Sequence, residues 1–275
     1  MFTVTPVRQR THRIVWNDRA EIEFQGAMAA RPKNVLVTGP HGWGKTEFCK
    51  EVARRAQVTL GREFKLMSVN LSPYTRFEDL IGTNYPVNTA NGVAIQWVKG
   101  ALQLAVEGGH MFLAEEITKS NPETQARLHS VLDEIGRRLT ITERGGEEVP
   151  VHPDFWFFAN SNPAGRGYAV QRLDPALQSR FYWTIEIDQP FCDERKLVED
   201  IFGGDENATV HVMNWLEDLR SNAETIIPTR DVSMFSKALG RGVSPESAIE
   251  HQLKPQYDGD KYARIAAVTK AHFGS

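Results

Sequence analysis

Residues 39–46 read GPHGWGKT, a full match to the phosphate-binding loop pattern GxxxxGK[ST]. That pattern needs a strand before it and a helix after it. The run NVLVT at 34–38 has the apolar, β-branched composition of a buried strand, and EFCKEVARRA at 47–56 is helical in composition. Gly39, Gly42 and Gly44 let the backbone aim its N–H groups at one point, with no side chain in the way of a phosphate. The helix that follows adds the partial positive charge of its N-terminus. Lys45 is placed to reach β- and γ-phosphates, and the Thr46 hydroxyl to hold Mg²⁺. The expected nucleotide-binding set is therefore Gly39, Pro40, His41, Gly42, Trp43, Gly44, Lys45, Thr46 and Glu47.

The strand–loop–helix unit sits in a chain of 275 residues, long enough for one large domain or two modest ones with a core that needs no disulfides. Charged residues make up 24% and the net charge is −3, so the composition points to no dedicated nucleic-acid surface. Cys49 and Cys192 are far apart and neither lies in a CxxC pair, which fits core packing in a reducing compartment. The N-terminal segment MFTVTPVRQRTHR has no long apolar run, and no stretch approaches the ~20 apolar residues of a membrane helix. The expected location is the cytoplasm, with no membrane partner.

Strand and helix signals alternate along the first two thirds of the chain. The opening dozen residues read as a loose arm or an edge strand, and 17–30 as a helix. FKLMSVN (64–70) reads as a strand, TRFEDLIGT (75–83) as a short helix ended by glycine, and 101–107 as a helix stopped by Gly108 and Gly109. MFLA (111–114) is a short buried strand. NPETQARLHSVLDE (121–134) reads as one helix with a proline near its start. Residues 138–152 read as a β-hairpin turning at Gly145 and Gly146, FWFFAN (155–160) as a strand buried on both faces, 174–180 as a short helix and WTIEI (183–187) as a fifth strand. This order predicts an α/β fold with a parallel sheet covered on both sides. Beyond Pro190 the signals are helical only, which predicts a nucleotide-binding domain over 1–189 and a small all-α lid over 190–275.

The strand at 111–114 runs into Glu115 and Glu116. An apolar strand ending in two acids is the second part an NTPase needs, one carboxylate to support Mg²⁺ and one to orient the attacking water. Neighbouring residues at a strand end point apart, so the two acids are free to differ in role.

Taken together, these motifs resemble those of the MoxR-type AAA+ ATPases and their relatives, including the cobalt-chelatase ATPase subunit. The resemblance spans about residues 21–230. GPHGWGKT is similar to the Walker A motif, FEDLIGT (77–83) to a short motif after the second strand, and FLAEEI (112–117) to the Walker B motif. FFANSNP (157–163) is similar to the sensor 1 strand, LDPALQSRF (173–181) to the arginine-finger segment and PTRD (228–231) to the start of sensor 2. The hairpin at 138–152 is matched to the helix-2 insert of this clade.

The resemblance implies a P-loop AAA+ sheet, ATP and Mg as cofactors, and hydrolysis in a homo-oligomeric ring, a hexamer, acting on a partner protein. By the same token Glu116, Asn162, Arg180 and Arg230 are the catalytic candidates, and Thr46 and Glu115 the metal candidates. Arg180 would act on the neighbouring subunit's nucleotide and Arg230 near the γ-phosphate, with Asp231 helping to start a helix. Arg166 and Arg172 are further arginines of the same stretch. The chain departs from the family at Glu115, where the usual residue is aspartate; the longer side chain fits the near-octahedral demand of Mg²⁺ less closely.

Two other readings compete with remodelling of a protein. A ring motor on nucleic acid would need basic residues in its pore, and Arg137, Arg138 and Arg144 are offset by Glu143, Glu147 and Glu148. A nucleotide-dependent assembly module with weak hydrolysis is supported by Glu115 alone. A small-molecule kinase leaves the series Asn162, Arg180, Arg230 unexplained.

Overall fold

The computed structural model describes residues 3–5, 14–89, 92–162, 173–221 and 227–274. They form two compact units. The larger comprises the described residues within 1–9, 22–39 and 45–187, and the smaller those within 10–21, 40–44 and 188–275.

The larger unit is built on a six-stranded sheet of β1 (Thr3–Thr5), β2 (Asn34–Thr38), β3 (Leu66–Asn70), β6 (Met111–Glu115), β9 (Trp156–Ser161) and β10 (Trp183–Glu186), in spatial order β1-β3-β6-β9-β2-β10. The last five in that order are mutually parallel, and β1 pairs antiparallel with β3 as an edge strand. β2 and β9 are buried along nearly their whole length, as their continuous apolar runs require. The helices of this unit are α1 (Asp18–Ala29), which starts in the smaller unit, α2 (Lys45–Leu60), α3 (Phe77–Ile81), α4 (Ala101–Gly108), α5 (Pro122–Arg127), α6 (His129–Leu132) and α7 (Pro175–Gln178). Phe112, Phe157, Leu80, Leu102 and Leu132 belong to one continuous core of this unit, and Phe24 stacks on Phe48 at 4.4 Å.

Three expectations are corrected. A hairpin of β4 (Gly82–Thr89) and β5 (Gly92–Lys99) was not foreseen. It separates α3 from α4, and the Gly100 N–H bonds Ile81 O at 2.7 Å across its base. The insertion into the helical segment after β3 is therefore 82–99, whereas the hairpin of β7 (Arg138–Ile141) and β8 (Glu147–Pro150) leads from α6 into β9. The single helix expected over 121–134 is two, because Leu128 tightens the turn by bonding Gln125 O three residues back, and Asp133 turns extended (φ −56°, ψ 154°).

The smaller unit is helical, with α8 (Glu194–Ile201), α9 (Glu206–Arg220), α10 (Thr229–Leu239), α11 (Pro245–Gln252) and α12 (Gly259–Phe273). Its core is separate and centres on Trp215, which stacks on Phe235 at 4.3 Å and donates its indole N–H to Thr269 Oγ1. The third correction concerns how Asp231 serves its helix: it lies in the first turn of α10, as expected of a residue that helps start it, but not at the N-cap. Pro228 holds the cap position, and the Asp231 carboxylate accepts the Tyr257 hydroxyl at 2.8 Å.

Candidate nucleotide site

The strand order explains why distant residues meet. β9 lies between β2, which leads into the phosphate loop, and β6, which ends in the acids. Parallel strands put all three C-terminal ends on one edge, where open α/β sheets bind ligands. The loop leaves β2 through glycines at φ 153° (Gly39), 82° (Gly42) and 89° (Gly44). At Gly39 a Cβ would stand 2.4 Å from the Ile187 carbonyl oxygen, so only glycine fits.

Lys45 opens α2, is 7% exposed, and points its ammonium at Gly39 O (2.7 Å) and Asn162 Oδ1 (2.8 Å). The amide of Asn162 donates in turn to both oxygens of Glu116, at 3.0 and 3.1 Å. Burial pushes the Lys45 amine down to about 8, with the Glu116 carboxylate acting against that. The three residues thus form a chain from cation to amide to carboxylate at the ends of three neighbouring elements.

The two acids take different partners. Glu115 Oε2 accepts the Thr46 hydroxyl at 2.9 Å, while Glu116 faces Asn162 and lies 3.6 Å from the Lys119 amine. Glu116 has φ 56°, the sole non-glycine with positive φ among the described residues. Such a backbone is costly, of order 1–3 kcal/mol, and is of the kind that clusters at functional sites. Asn160 stabilises it: its Oδ1 accepts the Glu116 backbone N–H at 2.9 Å, and its Nδ2 lies 3.4 Å from Thr46 Oγ1. Asn160 was missed as a site residue because it sits inside an aromatic strand; a buried amide two residues before Asn162 was the available signal.

The Thr46 hydroxyl and the Glu115 carboxylate are hard oxygen donors of the kind Mg²⁺ takes; the Thr46 proton is committed to Glu115, and the Asn160 amide at 3.4 Å leaves one lone pair of that hydroxyl for a cation. Among the described residues no group of three or more His, Cys, Asp or Glu side chains could hold a metal. Such a site would need phosphate oxygens to complete it.

The remaining candidates lie apart from that chain of contacts. Glu47 pairs with Lys50 at 3.1 Å. Arg180 donates to Asp133 Oδ1 (2.7 Å) and Ala176 O (2.6 Å). In the smaller unit the Arg230 guanidinium meets His41 Nε2 at 2.8 Å and its backbone N–H bonds Gly42 O at 3.2 Å. Trp43 is 7% exposed and lies under the Arg220 guanidinium, 5.7 Å from ring centre to Cζ. Arg166, Arg172 and the Pro163 that follows Asn162 lie outside the described residues.

The AAA domain family of the dynein-related subfamily matches residues 34–181, more than half the chain. This chain is a MoxR-type AAA+ ATPase. It is 30% identical over 261 residues to Protein NorQ of Paracoccus denitrificans, covering 92% of both chains. To the denitrification regulatory protein NirQ of Pseudomonas aeruginosa it is 27% identical over 239 residues, covering 85% of this chain and 86% of the relative. Among solved structures, NtrX from Brucella abortus in complex with ATP aligns with a TM-score of 0.53 at 19% identity, over 87% of this chain and 55% of that one. That likeness is one of fold. Among the described residues of this ATPase no helix is long and apolar enough to cross a membrane.

Proposed function

We propose that this ATPase hydrolyses ATP with Mg²⁺ as a homo-oligomeric ring, a hexamer, and uses the energy to remodel or activate a partner protein. The observation that carries the reading is the contact chain Lys45–Asn162–Glu116 beside the pair Thr46–Glu115. Lys45 binds the β- and γ-phosphates, and Thr46 with Glu115 holds the metal, which when bound neutralises charge on the phosphoryl oxygens. Glu116 orients the attacking water and accepts its proton. Asn162 links the phosphate-binding amine to that carboxylate, so it reports the presence of the γ-phosphate to the base. Arg180 serves a neighbouring subunit's nucleotide and Arg230 the γ-phosphate. Residues 1–189 act as the nucleotide-binding domain and 190–275 as its helical lid.

A protein partner is favoured over nucleic acid because two of the three arginines at the β7–β8 hairpin are offset by carboxylates of the same hairpin: Arg138 pairs with Glu148 at 2.9 Å and Arg144 with Glu147 at 2.8 Å, while Arg137 is turned to Val131 O and Asn34 Oδ1. The relative NirQ is named as a regulatory protein, and an ATPase acting on a partner belongs to the same class of role. The two free cysteines, Cys49 and Cys192, fit the cytoplasm. The test is steady-state ATPase activity of wild type and Glu116→Gln, with Mg²⁺ and with chelator. Glu116→Gln should bind ATP and turn over at least a hundredfold more slowly, on the order of the 10²–10⁴ that a positioned base contributes. Wild-type turnover in that variant, or full activity in chelator, would sink the proposal.

A further inference from the structure

At the sheet edge opposite the phosphate loop, β2 and β9 begin side by side, the Phe157 N–H bonding Lys33 O at 2.8 Å. The distance along β2 from that edge to the loop is roughly 16 Å, five residues at the rise of a strand. A cavity of about 160 Å³ opens there, with Arg31, Lys33, Arg137, Asp154 and Trp156 in its wall and the end of α2 at its side. Three of those side chains are cations.

Lys33 is 6% exposed; its ammonium donates to Met28 O and lies 4.7 Å from the centre of the Trp156 ring. Arg137 donates to Val131 O at 2.9 Å and to Asn34 Oδ1 at 3.0 Å. Arg31 donates to backbone carbonyls, the nearest Ala30 O at 2.7 Å. Among the described residues none of the three has a carboxylate partner. The acid in the wall, Asp154, is engaged by Arg62 at 3.2 Å. Among the described residues, dipoles and the faces of Trp156 and Phe155 are thus what compensates three clustered positive charges, one of them buried and one half-buried. Buried charges are ordinarily paired. The cost is visible in the cations themselves: burial, helped by Arg31, pushes the Lys33 amine down to about 8, and burial pushes the Arg137 guanidinium down to about 10.

We infer that this cavity binds a small dianionic oxyanion of the phosphate class, held by Arg31, Lys33 and Arg137. Its volume excludes a nucleotide. Three cations approaching from two chain segments suit a compact anion with several oxygens and two charges better than a flat, singly charged carboxylate. The bound anion would tie the segment before β2 to Arg137, whose carbonyl accepts the Val151 N–H at 3.2 Å and so closes the base of the β7–β8 hairpin.

The experiment uses the full chain saturated with ADP, so that the phosphate loop is filled, and titrates inorganic phosphate against sodium chloride at matched ionic strength. Calorimetry and thermal unfolding read the result. The expectation is one phosphate site per chain, a raised melting temperature, and at least tenfold weaker binding in Lys33→Met and Arg31→Gln, with sulfate replacing phosphate and acetate at least tenfold weaker than either. Arg31 is exposed and its partners among the described residues are backbone carbonyls, so Arg31→Gln keeps the test open if Lys33→Met fails to fold. No binding in the wild-type chain, unchanged affinity in the folded variants, or acetate equal to phosphate would overturn the inference. ATP hydrolysis plays no part in the readout, so its loss or survival bears only on the function proposed above.

Discussion

The amine of Lys45 shows how a single buried residue sets a pH dependence. Burial holds it at about 8, against 10.5 for a solvated lysine. Phosphates brought within reach of the ammonium favour the charged form, so its pKa rises on nucleotide binding. Below pH 8 the amine is already charged and binding needs no proton. Above pH 8 binding must take up a proton, and the ATP affinity falls by up to about tenfold per pH unit. Calorimetric titrations at pH 7 and pH 9, in buffers of different ionisation enthalpy, should show proton uptake at the higher pH only. A flat affinity across that range would mean that Lys45 does not face the phosphates. The same depression acts on folding with its own sign. Between about 8 and 10.5 the unfolded chain binds more protons at this position than the folded one, so Lys45 makes the nucleotide-free protein gain stability as pH rises through that window.

Among the elements, α5 is held at its start by a side chain with two partners. Asn121 accepts the Thr124 N–H at 2.8 Å as the N-cap, and donates its amide to Thr75 O at 2.8 Å, tying the helix to the segment before α3. Asn121→Ala removes both bonds and should cost about 1–3 kcal/mol, from the cap and one further hydrogen bond. Urea denaturation followed by circular dichroism measures it; a loss below about 0.5 kcal/mol would show the cap to be dispensable. The β4–β5 hairpin lies at the other extreme. Val93 and Ile95 are 71% and 76% exposed, and the hairpin's link to the core is Trp97, whose indole donates to Gln103 at 2.9 Å. The sequence signal available for a hairpin was the dipeptide Asn91-Gly92 between two runs of strand composition. Pro86 within the first strand masked the period, because proline argues against a central strand and is at home in an isolated edge pair.

For the molecule as a whole, the ring is the claim that no single chain can display. Arg180 is held by Asp133 and Ala176 within its own chain, and the proposal requires it to complete a neighbour's site. Arg180→Ala should therefore keep ATP binding and lose hydrolysis by about 10³-fold or more, as removal of an arginine finger does. Lys45→Ala should lose both. Mixed rings of the two variants should recover part of the activity, since some interfaces then join an intact loop to an intact arginine. ATPase rate against mixing ratio, with ring composition followed by native mass spectrometry, gives the answer. Confirmed mixed rings without rescue would remove the trans role of Arg180.

The sequence determined the phosphate loop, the acidic strand end, the order of the core strands along the chain and the helical nature of the last third. Each is a local pattern: glycines that permit positive φ, apolar runs that must be buried on both faces, carboxylates at a strand's end. That Glu115 and Glu116 take different partners was likewise readable from the alternation of side chains at a strand end. Tertiary structure alone decided what lies beside what. Placing β9 between β2 and β6 is a matter of sheet order, and it turns Asn162 into the bridge from Lys45 to Glu116 and Asn160 into the support of a strained backbone. The break at Leu128 and the meeting of Arg31, Lys33 and Arg137 in one cavity belong to the same class. Such contacts join residues up to 117 positions apart, and the preferences of neighbouring residues carry no record of them.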